Sequence, residues 1–270
     1  MRSASRQARQ DQRRLGFVPT MGALHAGHIS LVRAARRQCD GVAASIFVNP
    51  TQFGPTEDFS KYPRTFDTDC KMLEAERVDI LFAPSAEEMY PPGAATFVTV
   101  EGLSEKLCGR SRPGHFRGVT TVVSKLFNIV EPDLAFFGQK DSAQAVIIQR
   151  MVRDLNLDVE IVVCPIVREP DGLALSSRNA YLNPRQRKQA TVLYRSLMRV
   201  HFLADRGESD SACLIAAALE VFKDGPEVRL DYFEIVDRET LDPVTNTSKG
   251  ALVAVAAFVG ATRLIDNIVL

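Results

Sequence analysis

The sequence lacks an excess of charge of either sign and any long apolar run, and both absences narrow the function. Lysine plus arginine and aspartate plus glutamate each number 33 in 270 residues, so the formal net charge is zero. A general nucleic-acid binder would be basic, so a tRNA-handling enzyme is disfavoured. No segment is long and apolar enough to cross a bilayer. We therefore expect a small-molecule ligand, with neither nucleic acid nor membrane as a partner.

The sequence also lacks paired cysteines and a secretory signal. Its five cysteines are scattered, and no Cys-x-x-Cys motif occurs. An odd, scattered set favours a reducing compartment, which predicts a cytoplasmic location. Residues 1–14 contain several arginines but no apolar run. We interpret them as a solvated tail, with a truncated mitochondrial presequence as the alternative.

A third absence concerns phosphate chemistry. No Gly-x-x-x-x-Gly-Lys-[Ser/Thr] loop occurs, which disfavours Walker-type transfer of a γ-phosphoryl group. Residues 15–30, LGFVPTMGALHAGHIS, instead pass from an apolar run through Pro19 and Gly22 into helical spacing. This pattern predicts a strand, a loop and a helix. The loop therefore leads into a helix N-terminus, which favours anions through its unpaired N–H groups and its dipole.

Two histidines lie at this predicted helix start. His25 and His28 are three residues apart, so they would face the same way, and Gly27 between them would let an anion approach the backbone. The pattern predicts a phosphate chain held by two imidazoles. Zinc binding is an alternative, although the glutamate of His-Glu-x-x-His proteases and a third ligand are missing. Core filling is another, although a buried imidazole must satisfy two nitrogens.

The rest of the chain reads as two parts. Nearly continuous apolar runs at 42–48, 78–83, 134–137 and 159–163 are typical of parallel strands covered on both faces. Ser85, with Glu88 three residues later, predicts a short helix with a capping box, and a short peripheral strand is expected at 96–100. Asn183-Pro184 predicts a cap and a first-turn proline for a helix over 183–204. This helix and one at 210–222 precede strand-like runs at 230–236, 251–259 and 263–269. We predict an α/β fold, with a Rossmann-like parallel-sheet domain over residues 1–167 and a smaller C-terminal α+β lid domain over residues 168–270.

Five motifs in this order resemble the pantothenate synthetase (pantoate–β-alanine ligase) family. They are PTMGALHAGH (19–28), FVNPTQFGPTEDFSKYPRT (47–65), RPGHFRGV (112–119), FFGQKDSAQ (136–144) and DGLALSSRN (171–179). The first contains the His-x-Gly-His signature of a wider nucleotidyltransferase superfamily. The resemblance implies that ATP and pantoate form pantoyl adenylate and pyrophosphate, and that β-alanine then displaces AMP. It also implies Mg²⁺ with the ATP, and a homodimer.

The resemblance further implies roles for particular residues. Gln52 and Gln144 would bind pantoate, Asp69 would help to hold the metal, and His115 would play a supporting part. The implied catalytic groups are His25, His28, Lys140, Ser176, Ser177 and Arg178. The implied ATP contacts are Met21, Gly22, Ala23, Leu24, His25, Ala26, Gly27, His28, Gly138, Gln139, Lys140, Asp141, Val167, Leu175, Ser176, Ser177 and Arg178.

Two other functions stay open at this point. A nucleotidylyltransferase of the same superfamily would join a nucleotide to another small acceptor and stop there. The paired amides Gln52 and Gln144, in place of a basic acceptor site, count against it. A nonenzymatic nucleotide-binding regulator is the second alternative. The many groups suited to phosphate make it less plausible, and turnover would exclude it.

Overall fold

A five-stranded parallel sheet organises the first half of the chain in the computed structural model, which describes residues 1–55, 57 and 59–270. Thr56 and Asp58 of the 47–65 motif therefore lie outside the described residues. The strands are β1 (Leu15–Thr20), β2 (Gly41–Ile46), β3 (Ile80–Phe82), β4 (Leu134–Gly138) and β5 (Glu160–Cys164). Their order is β3-β2-β1-β4-β5, and every pairing is parallel. The predicted Rossmann-like sheet is confirmed.

The chain order of the strands reverses between β1 and β4. Open α/β sheets bind ligands in the crevice outside the carboxyl ends of the strands at such a switch point. The segment that follows β1 carries the histidine pair, and β4 ends at Gly138. Gly16 on β1 also matters, because a Cβ there would lie 2.9 Å from the Cys39 sulfur and 3.2 Å from the Ala35 Cβ. A glycine at this position lets the following helix pack close to the sheet.

Seven helices accompany this sheet among the described residues. They are α1 (Arg2–Gln10), α2 (Ala26–Gln38), α3 (Phe66–Ala75), α4 (Ala86–Met89), α5 (Cys108–Ser111), α6 (His115–Val130) and α7 (Ser142–Asp154). The apolar face of α2 supplies Leu31, Val32 and Ala35 to the core between helix and sheet. The predicted capping box at the start of α4 is confirmed, because Ser85 and Glu88 exchange hydrogen bonds.

Two predictions made from local pattern are wrong. Residues 2–10 form a helix instead of a solvated tail, and they bury Ser5 and Ala8. Residues 96–100 do not form a strand. The backbone N–H of Val98 donates to Thr121 Oγ1 at 3.0 Å, and its carbonyl accepts from Thr120 Oγ1 at 2.6 Å. Side chains of α6 therefore take the place of a strand partner.

The second half of the chain forms a separate antiparallel sheet with helices. Its strands are β6 (Val228–Val236), β7 (Leu252–Val259) and β8 (Thr262–Val269), in that order, and its helices are α8 (Pro184–Ala190), α9 (Val192–Ala204) and α10 (Ser211–Phe222). The helix predicted over 183–204 is thus divided at Thr191. Its predicted cap is confirmed, because Asn183 accepts the Gln186 N–H at 2.9 Å. Leu193, Leu197 and Leu214 are among the core residues of this part.

The chain divides into two compact units that are each discontinuous in sequence. The first comprises Met1–Glu105, Gly109–Gln139 and Ile147–Pro165, and the second comprises Lys106–Cys108, Lys140–Val146 and Ile166–Leu270. The last division lies close to the expected boundary at 167/168, but two short segments join the second unit from earlier in the chain. Among the described residues, no helix has the length and apolar character needed to span a membrane.

Candidate active site

The two histidines of the first unit cap helix α2 reciprocally. The N–H of Gly27 donates to His25 Nδ1 at 3.1 Å, and the N–H of His25 donates to His28 Nδ1 at 3.3 Å. The ring centroids lie 4.2 Å apart, and both side chains are half-buried. Gly27 is required here because a Cβ would lie 2.8 Å from the His25 ring. The spacing in His-x-Gly-His thus builds a helix cap from imidazoles.

These contacts determine the tautomers of both histidines. Each Nδ1 accepts a backbone N–H, so a neutral imidazole must carry its proton on Nε2. Each ring therefore has an Nε2–H donor, which is the chemistry expected for phosphate oxygens at a helix N-terminus.

Neither ring is core filling, because both are half-buried. The described residues also contain no group of three His, Cys, Asp or Glu side chains that could hold a metal.

Asp69 on α3 holds the loop that precedes the histidines. Its side chain is 1% exposed, and its two oxygens accept the N–H groups of Ala23 at 2.9 Å and Leu24 at 2.8 Å. Ala23 has a φ of 50° and Gly22 a φ of 79°, so the loop passes through the left-handed region. Such a backbone persists only where its surroundings over-determine it. Asp69 therefore has a positioning role that the sequence did not reveal.

Gln52 lies in a short 3-10 turn after β2, where Asn49 organises its surroundings. Asn49 is 1% exposed; its Nδ2 donates to Gln52 Oε1 at 3.0 Å and to the Gly118 carbonyl at 3.1 Å. The Gln52 Nε2 in turn approaches the Met21 sulfur at 2.9 Å. The structure thus connects Gln52 with the loop that leads to the histidines, which the motifs alone place well apart in sequence.

A charged relay fixes the backbone of Gln52. Glu57 forms a two-pronged ion pair with Arg112, with distances of 2.6 and 2.7 Å. Arg112 Nη1 lies 2.9 Å from His115 Nε2, and His115 Nδ1 lies 2.8 Å from the Gln52 carbonyl. A carbonyl only accepts, so Nδ1 is the donor and Nε2 accepts from the guanidinium. His115 therefore positions Gln52, which fits the supporting part expected of it.

The Glu57–Arg112 ion pair also accounts for one arginine of the basic loop at 110–117. Partial burial alone would raise the pKa of Glu57, but the hydrogen bonds and charge of Arg112 outweigh it and hold this pKa below its usual value. Arg112 is thereby neutralised. Arg117 lies over the Phe97 ring at 3.7 Å. These two arginines therefore stabilise the fold of the first unit.

In the second unit, Lys140 and Gln144 lie at the start of α7. Residues Gln139–Asp141 form a 3-10 turn between β4 and α7, and Lys140 pairs with Asp141 only loosely at 3.8 Å. An exposed pair of this length contributes little to stability. The backbone carbonyl of Lys140 accepts from Asn267 Nδ2 at 3.0 Å. Strand β8 thus holds the backbone of the predicted phosphate-binding lysine.

A hairpin of residues 168–174 links the other predicted ATP contacts of this unit. Arg168 pairs with Ala174, and the Leu175 N–H donates to the Val167 carbonyl at 3.0 Å. Val167 and Leu175, both predicted beside adenine, are therefore neighbours. Ser176 follows directly; its Oγ accepts the Arg178 N–H at 3.3 Å and begins the 3-10 turn Ser177–Tyr181. Leu175 to Arg178 are consecutive in one sequence motif. The sequence did not predict the hairpin that brings Leu175 beside Val167.

Comparison with known proteins identifies the family. A family model described as pantoate–beta-alanine ligase matches residues 1–269. The chain belongs to the pantoate–beta-alanine ligase family. Pantothenate synthetase of Koribacter versatilis is 63% identical over 270 residues, which are 100% of this chain and 93% of that protein. The Thermotoga neapolitana pantothenate synthetase is 58% identical over all of this chain and 96% of its own.

Solved structures of this ligase family have the same fold. The pantothenate synthetase of Thermus thermophilus has a TM-score of 0.93 at 50% identity and covers 98% of this chain and 96% of its own. The pantoate–beta-alanine ligase of Francisella tularensis, complexed with a β,γ-ATP compound and β-alanine, has a TM-score of 0.79 at 35% identity, with 98% and 94% covered. The fold inferred from the motifs is therefore that of the ligase family.

Reasoning from the sequence missed several positioning residues. Asn49 is one, and its signal was its place between the end of β2 and Pro50. Glu57 is another, and an acid near a basic loop could have indicated the ion pair with Arg112. Asp266 and Asn267 lie between two isoleucines of β8, and buried polar residues need partners. The sequence shows these two polar residues in the strand, but it does not show which residues they contact.

Proposed function

We propose that this chain is an ATP-dependent ligase that condenses pantoate with β-alanine to form pantothenate. The observation that carries the proposal is a family match over residues 1–269 in which the histidine pair caps α2 at the switch point of the sheet. Further support comes from the Francisella tularensis relative, which was crystallised with a β,γ-ATP compound and β-alanine.

The reaction has two steps with balanced bonds. A pantoate carboxylate oxygen attacks the α-phosphorus of ATP, the bond to the β-phosphate oxygen breaks, and pyrophosphate leaves. The amine of β-alanine then attacks the carbonyl carbon of pantoyl adenylate, AMP leaves with the electron pair, and the nitrogen loses a proton. Both steps develop charge on phosphate oxygens, so preorganised donors can supply most of the catalysis without a covalent enzyme intermediate.

In the first unit we assign the Nε2–H donors of His25 and His28 to this developing charge. The backbone of residues 21–28, with Gly27 against the His25 ring, forms the remaining predicted contact with the nucleotide. Gln52 is assigned to pantoate from the family motif. Its turn is held by Asn49 and by the contact of His115 with the Gln52 carbonyl. These assignments rest on the family motifs together with the hydrogen bonds that hold each group.

In the second unit we assign Lys140 and residues 176–178 to the triphosphate, and Gln144 to pantoate. An ammonium group, two hydroxyls and a forked guanidinium are suited to phosphate oxygens. Val167 and Leu175, adjacent in the hairpin, would lie beside the adenine. Gly138 and Gln139, which end β4 and begin the next turn in the first unit, and Asp141 of the second complete the predicted nucleotide contacts.

Magnesium is proposed to accompany ATP through phosphate oxygens and water. Asp69 is a poor fit for a direct ligand, because both of its oxygens accept backbone N–H groups. Asp69→Asn tests this: the amide NH₂ would face a backbone N–H, so we expect a loss of about 2–4 kcal/mol in unfolding free energy. The Mg²⁺ concentration for half-maximal activity should change little; a large increase would restore Asp69 as a ligand.

Three further proposals concern the whole protein. We propose that the second unit acts as a lid during turnover, that the chain forms a homodimer, and that it works in the cytoplasm. Light scattering on the purified protein tests the homodimer, since a mass of one chain would contradict it.

Pyrophosphate exchange tests the reaction class. Labelled pyrophosphate should enter ATP when pantoate is present and β-alanine is absent, because the first step needs no amine. Adding β-alanine should then release AMP and an amide. A nucleotidylyltransferase would show exchange only with its own acceptor, and a regulator would show none. Exchange independent of pantoate, or ADP as product, would refute the proposed function.

A further inference from the structure

Two consecutive buried residues of β8 hold both parts of the second unit that were assigned to ATP. Asp266 is 3% exposed and Asn267 is 2% exposed, so two adjacent polar residues of this strand are buried. Buried polar side chains persist where their partners matter. Their partners here are Arg168, at the start of the 168–174 hairpin, and the backbone of Lys140.

Asp266 anchors the hairpin through a two-pronged ion pair. Arg168 Nη1 and Nη2 donate to its two carboxylate oxygens at 2.6 and 2.9 Å. The same guanidinium donates to the carbonyls of Gly172 at 3.0 Å and Asn267 at 3.3 Å, and it lies over the Tyr194 ring at 4.4 Å. Arg168 therefore ties the start of the hairpin to β8 and also holds Gly172 near its turn. Residues 175–178 follow it directly.

The hairpin has little room to move in the direction of Tyr194. A Cβ at Gly172 would lie 1.9 Å from the Tyr194 ring, and Gly172 has a φ of 91°. Only glycine meets both conditions. The tip is also held by Arg187, which donates to Asp171 at 2.7 and 3.0 Å and lowers its pKa.

Asn267 anchors the other segment. Its Nδ2 donates to the Lys140 carbonyl at 3.0 Å, while its own N–H donates to Asp266 Oδ1 at 2.8 Å. The two neighbours are thus coupled to each other. A shift of this pair in β8 would displace Lys140 and the hairpin together.

Burial of the Arg168–Asp266 pair costs desolvation free energy, so the pair contributes little net stability. Burial raises the pKa of Asp266 even though Arg168 opposes the shift, so desolvation of the carboxylate is not fully offset. Buried ion pairs of this kind are weak evidence for stability, and apolar replacements are often as stable. A positional role explains the pair better than a stabilising one.

We propose that Asp266 and Asn267 are positioning residues of the nucleotide site, which hold Lys140 and residues 176–178 where the triphosphate binds. This inference rests on the proposed function, because the phosphate roles of Lys140 and residues 176–178 belong to it. Neither residue needs to touch the substrate. They act through the backbone of Lys140 and through the guanidinium of Arg168.

The second unit offers a matched control. Arg263 on β8 donates to Asp231 on β6 at 2.8 and 3.0 Å, and both side chains are about as buried as Arg168, at 17% and 20% exposure. Asp231→Asn and Asp266→Asn each remove the negative charge from an arginine–aspartate pair of this sheet, although Asp231 is more exposed, at 20% against 2%. The guanidinium of Arg263 donates to Asp231 and to the Cys108 sulfur, and thus to neither Lys140 nor the hairpin.

The experiment compares the full-length variants Asn267→Ala, Asp266→Asn and Asp231→Asn. Titration calorimetry measures the affinity for ATP and for adenosine, and thermal unfolding measures stability. Since the loss of one hydrogen bond can cost up to about one factor of ten in an equilibrium constant, Asn267→Ala should lower ATP affinity by roughly severalfold to tenfold. Adenosine affinity should fall much less than ATP affinity, because the Asn267 side chain holds the backbone of the lysine assigned to the triphosphate. Asp266→Asn should also weaken ATP binding, whereas Asp231→Asn should lower only the melting temperature.

Two results would overturn the inference. One is wild-type ATP affinity in folded Asn267→Ala; the other is an equal loss of ATP affinity in Asp231→Asn and Asp266→Asn. If Asp266→Asn does not fold, Asn267→Ala decides alone, since it removes a neutral hydrogen bond. Failure of the proposed function is seen separately, as wild-type protein without pantoate-dependent pyrophosphate exchange.

Discussion

Replacing Gly118 by alanine should impair pantoate binding with little loss of stability. Gly118 lies in α6 against the turn that carries Gln52, and a Cβ there would be 2.3 Å from the Thr51 carbonyl oxygen and 2.6 Å from the Gln52 nitrogen. Favourable contacts of carbon need about 3.5 Å. Both neighbours are backbone atoms, so no side chain can rotate away. The difference between these distances and a favourable contact means that the turn of Gln52 must move by about 1 Å.

The two energetic effects of Gly118→Ala on stability oppose each other. Overpacking costs about 1–3 kcal/mol. Alanine in place of a helical glycine returns up to about 1 kcal/mol. We therefore expect a net loss of about 0–2 kcal/mol in unfolding free energy. The displaced Gln52 should nevertheless reduce kcat/KM for pantoate by roughly tenfold to a hundredfold, because binding and reaction geometry are sensitive to shifts of this size.

The assay is steady-state AMP formation with pantoate varied at saturating ATP, together with urea unfolding. Gly54→Ala is the matched control, because its nearest neighbour would be the Glu57 Cγ at 3.7 Å and no left-handed φ is involved. The control should match wild type in both measurements. Unchanged kcat/KM for pantoate in folded Gly118→Ala would refute the claim that this contact positions Gln52 for the acid.

The remaining predictions concern residues assigned to ATP and pantoate in each unit, and the Glu57–Arg112 ion pair. His28→Ala and Lys140→Ala should each lower turnover by roughly a hundredfold or more while folding is retained, as expected when one preorganised donor is lost; near-normal turnover in both would contradict the site. Gln52→Ala should weaken pantoate binding and leave ATP affinity close to wild type in calorimetry, so equal losses would remove it from the acid pocket. Because Arg112 lowers the folded-state pKa of Glu57, the stability from this pair is present above the usual value of 4.5 and is lost as pH falls through the lower folded pKa. The stability deficit of Glu57→Gln, measured by urea unfolding, should therefore shrink between neutral pH and pH values below 4.5; a deficit that does not change would disprove the coupling.

The parts of the fold that are encoded locally were predictable. Apolar runs of strand length separated by helical spacing placed all five strands of the parallel sheet to within about three residues. The Asn183 cap and the Ser85 capping box were also recognised from the sequence, because a cap is made by residues three apart. The predictions for residues 2–10 and 96–100 were wrong for the opposite reason. Their conformations depend on contacts with α6 and the sheet, which no short window of sequence contains.

The sequence by itself determined which chemical groups the chain can offer to phosphate and to an acid, because the motifs state the residue types directly. Only the tertiary structure decided what holds them. Asp69 accepts two N–H groups of a loop 45 and 46 residues away, and Asn267 holds Lys140 across 127 residues. Hydrogen bonds require partners within about 3 Å, and the folded backbone alone sets which distant residues come that close. The positioning residues were therefore hidden until the chain was folded.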